Sequence, residues 1–241
     1  MMSDLFALPV VSVIEVAARQ ALLVLDARNT AVHDSHAIAG QHLLLQLLDD
    51  DVARPYAVAN APNDSGLLEF LIKLPHDRMP RVLALMPGDT VPASPCIGRG
   101  FPFDILRQRP QRADLWLCGV GSGVAPLRAA IEFLLHDRHA WGELTLLYGV
   151  RSADELCFTE HFGVWAGLGV RVVPVVSRPA VNVDGTSWSG ALGYVQDHLP
   201  AAFSRPQHTH ALICGLPDME KATCAALLTR GVGPDRVHRN W

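Results

Sequence analysis

A glycine-rich turn between an apolar run and a segment of helical periodicity constrains the fold more than any other feature of the chain. The apolar run 115–118 leads into the turn 119–126, and residues 127–135 then repeat their apolar positions at helical spacing. This pattern predicts a strand, a turn and a helix. Because glycines permit a sharp bend and a helix start offers unpaired N–H groups, we expect a nucleotide phosphate here. A plain tight turn fits the same spacing equally well.

The turn departs from the common dinucleotide fingerprint Gly-x-Gly-x-x-Gly. Pro126 stands where that fingerprint would continue differently, and no acidic residue lies at the expected distance, at the end of a second strand. The turn alone therefore does not identify the nucleotide.

Composition excludes several classes of protein. The 241 residues are 49% hydrophobic and 18% charged, as expected for a packed globular protein of one large or two small domains. The net charge of -4 and the absence of a long basic run give no electrostatic reason to expect nucleic acid or an anionic membrane as a partner.

Metal, disulfide and membrane chemistry also lack a sequence signal. The five cysteines contain no Cys-x-x-Cys pair, and we interpret His208 and His210 as solvated loop residues, so we predict no metal site. No signal peptide is visible, and no apolar stretch reaches the roughly 18 to 20 residues of a membrane-spanning helix. We expect a cytoplasmic protein without a membrane span.

The chain has two halves with different rhythms. Short β-rich runs in the first half predict an antiparallel barrel or sandwich, at 10–17, 21–27, 42–48, 56–59, 67–74 and 90–93. Strands then alternate with helical patterns, which predicts a parallel sheet with helices on both faces. The strands are expected at 115–118, 144–148, 170–176 and 211–214, and the helices near 126–136, 153–166, 193–199 and 219–230. The polar segment 104–112 is the natural boundary, and we expect the chemistry in the cleft between the halves.

Nine separated segments carry a further pattern along nearly the whole chain. They are 39–42, 54–60, 88–91, 98–101, 119–126, 148–151, 177–179, 188–195 and 214–219. In this order they resemble the motifs of the ferredoxin–NADP reductase superfamily, the two-domain flavoprotein reductases. The resemblance implies a β plus α/β architecture. A six-stranded antiparallel flavin-binding barrel over 1–106 would precede a Rossmann-like, parallel-sheet NAD(P)-binding domain over 107–241.

The resemblance implies a flavin site in the first half. Arg54 can donate two parallel hydrogen bonds to a flavin phosphate, and Tyr56, on the same face of the strand, would lie against the isoalloxazine. The N–H groups around Gly98 and Gly100 would meet the phosphates. A surface arginine, barrel core and a bare hairpin turn are the alternatives. The implied contacts are Arg54, Tyr56, Ala57, Val58, Gly98, Gly100, Phe101 and Trp241.

Two of these positions are unusual. Ala57 replaces the Ser or Thr whose hydroxyl lies near the flavin N5 in relatives. The resemblance therefore does not fix the rate at which the flavin is reduced, although flavin binding should survive. Trp241 is the final residue of the sequence, where an aromatic side chain covers the flavin in several members of the superfamily. Packing against the domain surface is the alternative for its indole.

The resemblance also implies a nicotinamide nucleotide site in the second half. Cys214 would lie beside the nicotinamide as a positioning residue, and it shares the implied catalytic role with Tyr56; a buried structural cysteine is the alternative. Ser177, Arg178 and Arg151 would grip a ribose 2′-phosphate, which favours NADP over NAD, although solvated loop charges fit them equally. The implied contacts are Gly119, Gly121, Ser122, Gly123, Pro126, Arg151, Ser177, Arg178, Cys214, Gly215 and Met219.

The function implied is a flavin-dependent oxidoreductase that transfers a hydride from NAD(P)H to bound FAD and then electrons to an acceptor such as ferredoxin or flavodoxin. FAD is preferred over FMN because the glycines after Ser94-Pro95-Cys96-Ile97 resemble those of FAD-binding electron-transfer subunits. Those subunits carry a C-terminal cysteine cluster that this sequence lacks. A subunit of a larger redox complex and a catalytically silent regulatory module, for which Ala57 is a hint, are the alternatives. The oligomeric state stays open.

Overall fold

Two six-stranded sheets, one antiparallel and one parallel, form the fold. The computed structural model describes residues 5–48, 52–108, 111–179 and 188–240. Trp241, a predicted flavin contact, lies outside these described residues.

The antiparallel sheet occupies the first half of the chain and has the order β4-β3-β6-β1-β2-β5. Its edge strands β4 and β5 approach each other at the bridge between Val58 and Phe70, and the N–H of Ala59 donates to the carbonyl of Glu69 at 2.7 Å. The prediction of a six-stranded antiparallel unit is confirmed. Its strands are β1 Phe6–Ala17, β2 Gln20–Asp26, β3 His42–Leu45, β4 Arg54–Ala57, β5 Leu67–Lys73 and β6 Thr90–Ala93.

Alternation along the strands builds the core of this sheet. In β2, Leu23 and Leu25 are fully buried while Leu22 and Val24 are partly exposed, which is the period of two expected for a strand with one packed face. Three short helices connect the strands or follow them: α1 Ala31–Ser35, α2 Met79–Leu83 and α3 Phe103–Arg107. At five residues each, they are too short for apolar periodicity to reveal.

The parallel sheet has the order β10-β9-β8-β7-β11-β12. Its strands are β7 Asp114–Val120, β8 Leu144–Val150, β9 Val170–Val176, β10 Ala191–Leu192, β11 Thr209–Cys214 and β12 Val237–His238. The chain adds strands on one side of β7 and then on the other, so the order reverses between β7 and β11. In open α/β sheets the crevice at such a reversal, at the carboxyl ends of the strands, is where ligands bind.

Three longer helices belong to this second half: α4 Val124–His136, α5 Thr159–Gly167 and α6 Pro217–Thr229. The longest of them have 13 residues. In the described part of the chain, no helix combines the length and the apolar character that crossing a membrane would require.

Several predicted boundaries shift in the structure. The helical pattern near 153–166 begins as a 3-10 turn, Ala153–Glu155, and becomes α5 only at Thr159. The pattern near 193–199 is a 3-10 turn, Val195–His198. The boundary segment 104–112 begins inside α3. The two 3-10 turns, Ala153–Glu155 and Val195–His198, are short and do not continue directly into an α-helix.

The interpretation of His210 as a solvated loop residue was wrong. Strand β11 begins at Thr209, and His210 is fully buried between β7 and β12. Its Nδ1 lies 3.0 Å from Nε2 of His238, and the two rings stack with centroids 5.3 Å apart. His208, in the preceding 3-10 turn, is half-buried.

A paired guanidinium holds the two sheets together. Arg128 of α4 is largely buried and lies 2.5 Å from Glu69 of β5 and 2.9 Å from Glu132, and it stacks 4.7 Å above the ring of Phe158. The second oxygen of Glu132 accepts a hydrogen bond from the N–H of Ala61 at 2.9 Å. Glu69 therefore joins α4 to β5, and Glu132 joins α4 to the chain that follows β4.

A second polar contact lies at the end of β8. The side chain of Gln20 donates to the carbonyl of Glu155 at 2.8 Å, and Nζ of Lys73 lies 2.7 Å from its buried carboxylate. The N–H of Ala18 donates to the carbonyl of Asp154 at 2.9 Å. These bonds fix the β1–β2 turn and the end of β5 against the parallel sheet.

We expect Arg128→Met to lower the free energy of unfolding by about 2–3 kcal/mol, because it leaves two partly buried carboxylates without their cation. Urea denaturation of wild type and variant measures the difference. Arg171→Met, at an exposed arginine of β9, is the matched control and should change little. Equal stability of the Arg128 and Arg171 variants would contradict the role given to this pair.

Candidate functional site

The predicted strand, turn and helix are present at the reversal point of the parallel sheet. Strand β7 ends at Val120, Gly121–Gly123 forms one 3-10 turn, and α4 begins at Val124. Gly121 has φ +54°, and a Cβ on Gly123 would lie 2.3 Å from the carbonyl oxygen of Cys214. Only glycine fits at position 123, because any side chain there would collide with the end of strand β11.

The end of β11 approaches this turn equally closely. A Cβ on Gly215 would lie 2.6 Å from side-chain atoms of both Met219 and Val120, and one on Gly119 would lie 2.6 Å from Leu127. The strand ends are therefore closely packed, while Gly121, Ser122 and Gly123 are partly exposed at the carboxyl edge. Pro126 is buried in the first turn of α4, where a missing N–H leaves no helical hydrogen bond unmade.

Cys214 ends β11 beside the turn with 9% of its surface exposed. Burial and the charge of Glu220 raise the pKa of its thiol to about 12. A thiol protonated at neutral pH is a poor nucleophile but a good neutral contact. The geometry accordingly suits the positioning role that was predicted for this residue.

Two arginines meet at the carboxyl ends of β8 and β9. The N–H of Arg178 donates to the carbonyl of Arg151 at 2.7 Å, and the N–H and hydroxyl of Ser177 both point to the carbonyl of Val150. Both guanidinium groups are exposed, and neither has an ion pair or hydrogen bond within the described residues. Sequence reasoning predicted this group, and the structure brings it together.

Tyr194 joins the same edge. It follows Gly193, whose N–H donates to the carbonyl of Val176 at 3.1 Å, and its ring is 64% exposed. An exposed aromatic side chain at the same sheet edge as two exposed arginines is suited to a flat, anionic ligand. The segment 188–195 was noted in the sequence, but Tyr194 was not singled out as a site residue.

Lys73 is a residue of the site that sequence reasoning missed. Its Nζ lies 3.9 Å from the position that a Cβ on Gly121 would take, while Glu155 holds the same ammonium at 2.7 Å. The lysine belongs to β5 of the antiparallel sheet. No local pattern marks it, because its proximity to the glycine turn depends on how the two sheets pack.

Strand β4 places the predicted flavin residues on two faces. Arg54 and Tyr56 share one face, opposite Leu45 and Leu43 of β3, and the partly exposed Tyr56 packs against the core of the antiparallel sheet. Burial raises the pKa of its phenol, and the charge of Arg54 opposes that effect. Arg54 itself is exposed and has no partner within the described residues.

Ala57 and Val58, the next two residues, have different surroundings from Arg54 and Tyr56. Ala57 pairs with His42 across the strands on the opposite face, which continues through Ala59 into the core shared with α4. Val58 is fully buried, and its N–H donates to the carbonyl of Gln41 at 3.0 Å. Its side chain and amide are thus already engaged, which leaves Val58 no free donor for a flavin.

Gly98 and Gly100 lie in an interlocked loop. Both have positive φ, and Cβ atoms there would meet Nδ1 of His42 at 2.5 Å and a methyl group of Ile38 at 2.6 Å. The side chain of Gln41 donates to the carbonyl of Gly98 at 3.3 Å and accepts from two backbone N–H groups. The loop is therefore held in a fixed shape, with Gly98 partly exposed and Gly100 buried.

The loop also borders a cavity. Phe101 is buried against Gly40 and packs edge-on with Phe103, so its ring forms a wall and is not a free stacking face. A cavity of about 530 Å³ lies beside it, lined mainly by residues 99–105 and 237–239. The cavity has no lining residue from the glycine turn and is therefore separate from it.

Within the described ranges, no cluster of three or more histidine, cysteine or acidic side chains has the geometry to hold a metal ion. The prediction that the protein has no metal site stays a prediction.

Comparison with known proteins adds a family to this geometry. Residues 117–225 match the family model of the oxidoreductase NAD-binding domain. The chain is 32% identical over 174 residues to fruit protein pKIWI502 of Actinidia deliciosa, which covers 70% of this chain and 52% of that protein. It is 28% identical over 195 residues to a flavodoxin/ferredoxin–NADP reductase of Shigella flexneri, which covers 77% of this chain and 76% of that protein.

A solved structure agrees in fold. The crystal structure of a ferredoxin NADP+ reductase from Neisseria gonorrhoeae, with bound FAD and NADP, matches 99% of this chain and 100% of its own with a TM-score of 0.77. Their sequences are 22% identical, so this likeness concerns the fold. The chain spans between 48% and 61% of the length of several curated relatives. With its two sheets, its nucleotide turn and these matches, the chain is similar in sequence and fold to proteins of the ferredoxin–NADP reductase superfamily.

Proposed function

We propose that this protein is a flavin-dependent oxidoreductase that takes a hydride from NAD(P)H onto bound FAD and passes electrons to an acceptor. One observation carries the proposal: the glycine turn Gly121–Gly123 lies beside Lys73, on the sheet that bears the flavin motif. The boundary between the two sheets is called the seam below. Two ligands bound at the turn and at the flavin motif would therefore meet at this seam. Shared placement of this kind is what hydride transfer between two rings requires.

The residues of the first half fit a flavin. Arg54 offers an exposed guanidinium without a partner among the described residues, which suits bidentate binding of a phosphate. The partly exposed Gly98 would offer its backbone to the phosphates. Tyr56 would contact the ring with its exposed part, beside the partly exposed Ala57. A bound FAD would supply acceptance of two electrons and their onward release.

The residues of the second half fit a nicotinamide nucleotide. The N–H groups of the turn and the start of α4 would bind the diphosphate, with Lys73 as an additional cation from the other sheet. Arg151, Ser177 and Arg178 would hold a ribose 2′-phosphate, which makes NADPH the preferred donor. Cys214 would contact the nicotinamide with a protonated thiol. Close packing of the strand ends excludes water from this contact.

The rest of the assignment follows from this activity. The electron acceptor would be a redox protein such as ferredoxin or flavodoxin. The proposed domains, 1–106 and 107–241, meet in the last turn of α3. All five cysteines lie in the described part of the chain and none forms a disulfide, which supports a reducing compartment such as the cytoplasm.

The flavin assignment predicts that protein reconstituted with FAD is yellow and that Arg54→Gln weakens FAD binding about tenfold to a hundredfold, because a charged bidentate contact is lost. Absorbance titration with FAD measures both. Arg171→Gln, an exposed arginine elsewhere, should bind as wild type does. Wild-type protein that stays colourless with FAD would overturn the proposed function.

The absence of a hydroxyl at position 57 predicts that Ala57→Ser accelerates reduction of the flavin by NADPH about fivefold to tenfold, the effect of one added hydrogen bond. Stopped-flow absorbance measures this rate. Ala84→Ser, at an exposed position after α2, is the matched control. An unchanged or slower rate in the Ala57 variant would count against a role for this position.

The arginine pair predicts a cofactor preference. Arg178→Gln should raise the Michaelis constant for NADPH about tenfold and leave that for NADH unchanged, because only NADPH carries the 2′-phosphate. Lys73→Gln should raise both constants together, since the diphosphate is common to the two. A clear preference of the wild type for NADH would contradict the assignment of Arg178 and Arg151.

A further inference from the structure

A buried carboxylate at the start of α6 has no role in the scheme above. Glu220 lies in the first turn of α6, and its side chain is 8% exposed. Its Oε2 accepts from Nε of Arg239 at 3.1 Å. Its Oε1 is buried and has no hydrogen-bond partner among the described residues. Leaving an anionic oxygen buried without a donor costs free energy, so the position calls for a functional explanation.

Glu220 and Arg239 come from different elements of the parallel half. Arg239 directly follows β12, the strand that lies outside β11, whereas α6 starts three residues after Cys214, at the carboxyl end of β11. The charge of Glu220 is one of the two causes that raise the pKa of the Cys214 thiol, and the charge of Arg239 is not among them. Of the two partners, Glu220 is thus the one on the helix that directly follows Cys214 and β11.

Hydride donation changes the charge of a nicotinamide. The reduced ring is neutral, and breaking the C4–H bond sends the hydrogen and both electrons to the flavin, which leaves the ring as a pyridinium cation. An anion in a site that excludes water stabilises such a developing cation far more than it would in bulk water. A carboxylate close to Cys214 would be close to this charge if the nicotinamide lies where the proposed function places it.

We propose that Glu220, held by Arg239, makes the nucleotide pocket favour the oxidised, cationic nicotinamide over the reduced, neutral one. The proposal rests on the proposed function, since it takes Cys214 as a contact of the nicotinamide. It makes Glu220 an electrostatic determinant of the relative affinity for the two redox forms. The same charge would lower the barrier to hydride donation.

The test is a comparison of two affinities in one variant. Dissociation constants for NADP+ and for 1,4,5,6-tetrahydro-NADP, whose ring is neutral and cannot donate a hydride, are measured by calorimetry on FAD-loaded protein. Glu220→Gln keeps the size of the side chain and removes its charge. We expect it to weaken binding of NADP+ about tenfold and to leave binding of the analogue with the neutral ring unchanged.

Two further variants complete the design. Arg239→Gln leaves the carboxylate without its cation and should shift the affinity ratio the opposite way, towards NADP+. Glu160→Gln removes an exposed carboxylate from the first turn of α5 and should leave the ratio unchanged.

The measurements distinguish a failure of the electrostatic role of Glu220 from a failure of the proposed function. Equal weakening of both ligands by Glu220→Gln, or no opposite shift in Arg239→Gln, would overturn the electrostatic role alone. Wild-type protein that binds neither ligand would overturn the proposed function and this inference with it.

Discussion

Charge pairing across the seam between the sheets is the interaction on which the rest of the structure depends. Arg128 is satisfied by carboxylates from both sides of the seam, and the buried carboxylate of Glu155 meets Lys73 from the antiparallel sheet. Neither sheet can satisfy these groups alone, and an unpaired buried charge is costly. The pairing therefore selects one relative placement of the sheets, and that placement brings Lys73 to the glycine turn.

Much of the fold could be predicted because its signals are local. Strand β9 has the predicted bounds, and the glycine turn forms between a strand and a helix as its spacing indicates. Lys73 and Glu220 could not be found in this way, since the importance of each depends on partners brought close by packing. His210 was misread because its polar neighbours resemble a loop, although stacking on His238 buries it within the sheet.

Strand β4 shows where pattern reasoning succeeds and where it stops. Alternation places Arg54 and Tyr56 on one face, and the register with β3 agrees. Alternation cannot say which face is covered, and here Tyr56 packs against the core of the antiparallel sheet while Ala59 belongs to the core shared with α4. The site that a flavin would use is consequently made at the edge of the strand, where both faces are within reach.

The side chain of Asn240 donates to the carbonyl of Gly40 at 3.0 Å, across a sequence separation of 200 residues. Gly40 lies in the loop that packs on Phe101 and leads into His42, next to Gly98. Gly40 leaves the ribosome well before Asn240, and the bond that completes the loop forms only after the 200 residues that separate the two have been translated. The antiparallel half consequently reaches its final form only after the parallel half has been synthesised and docked.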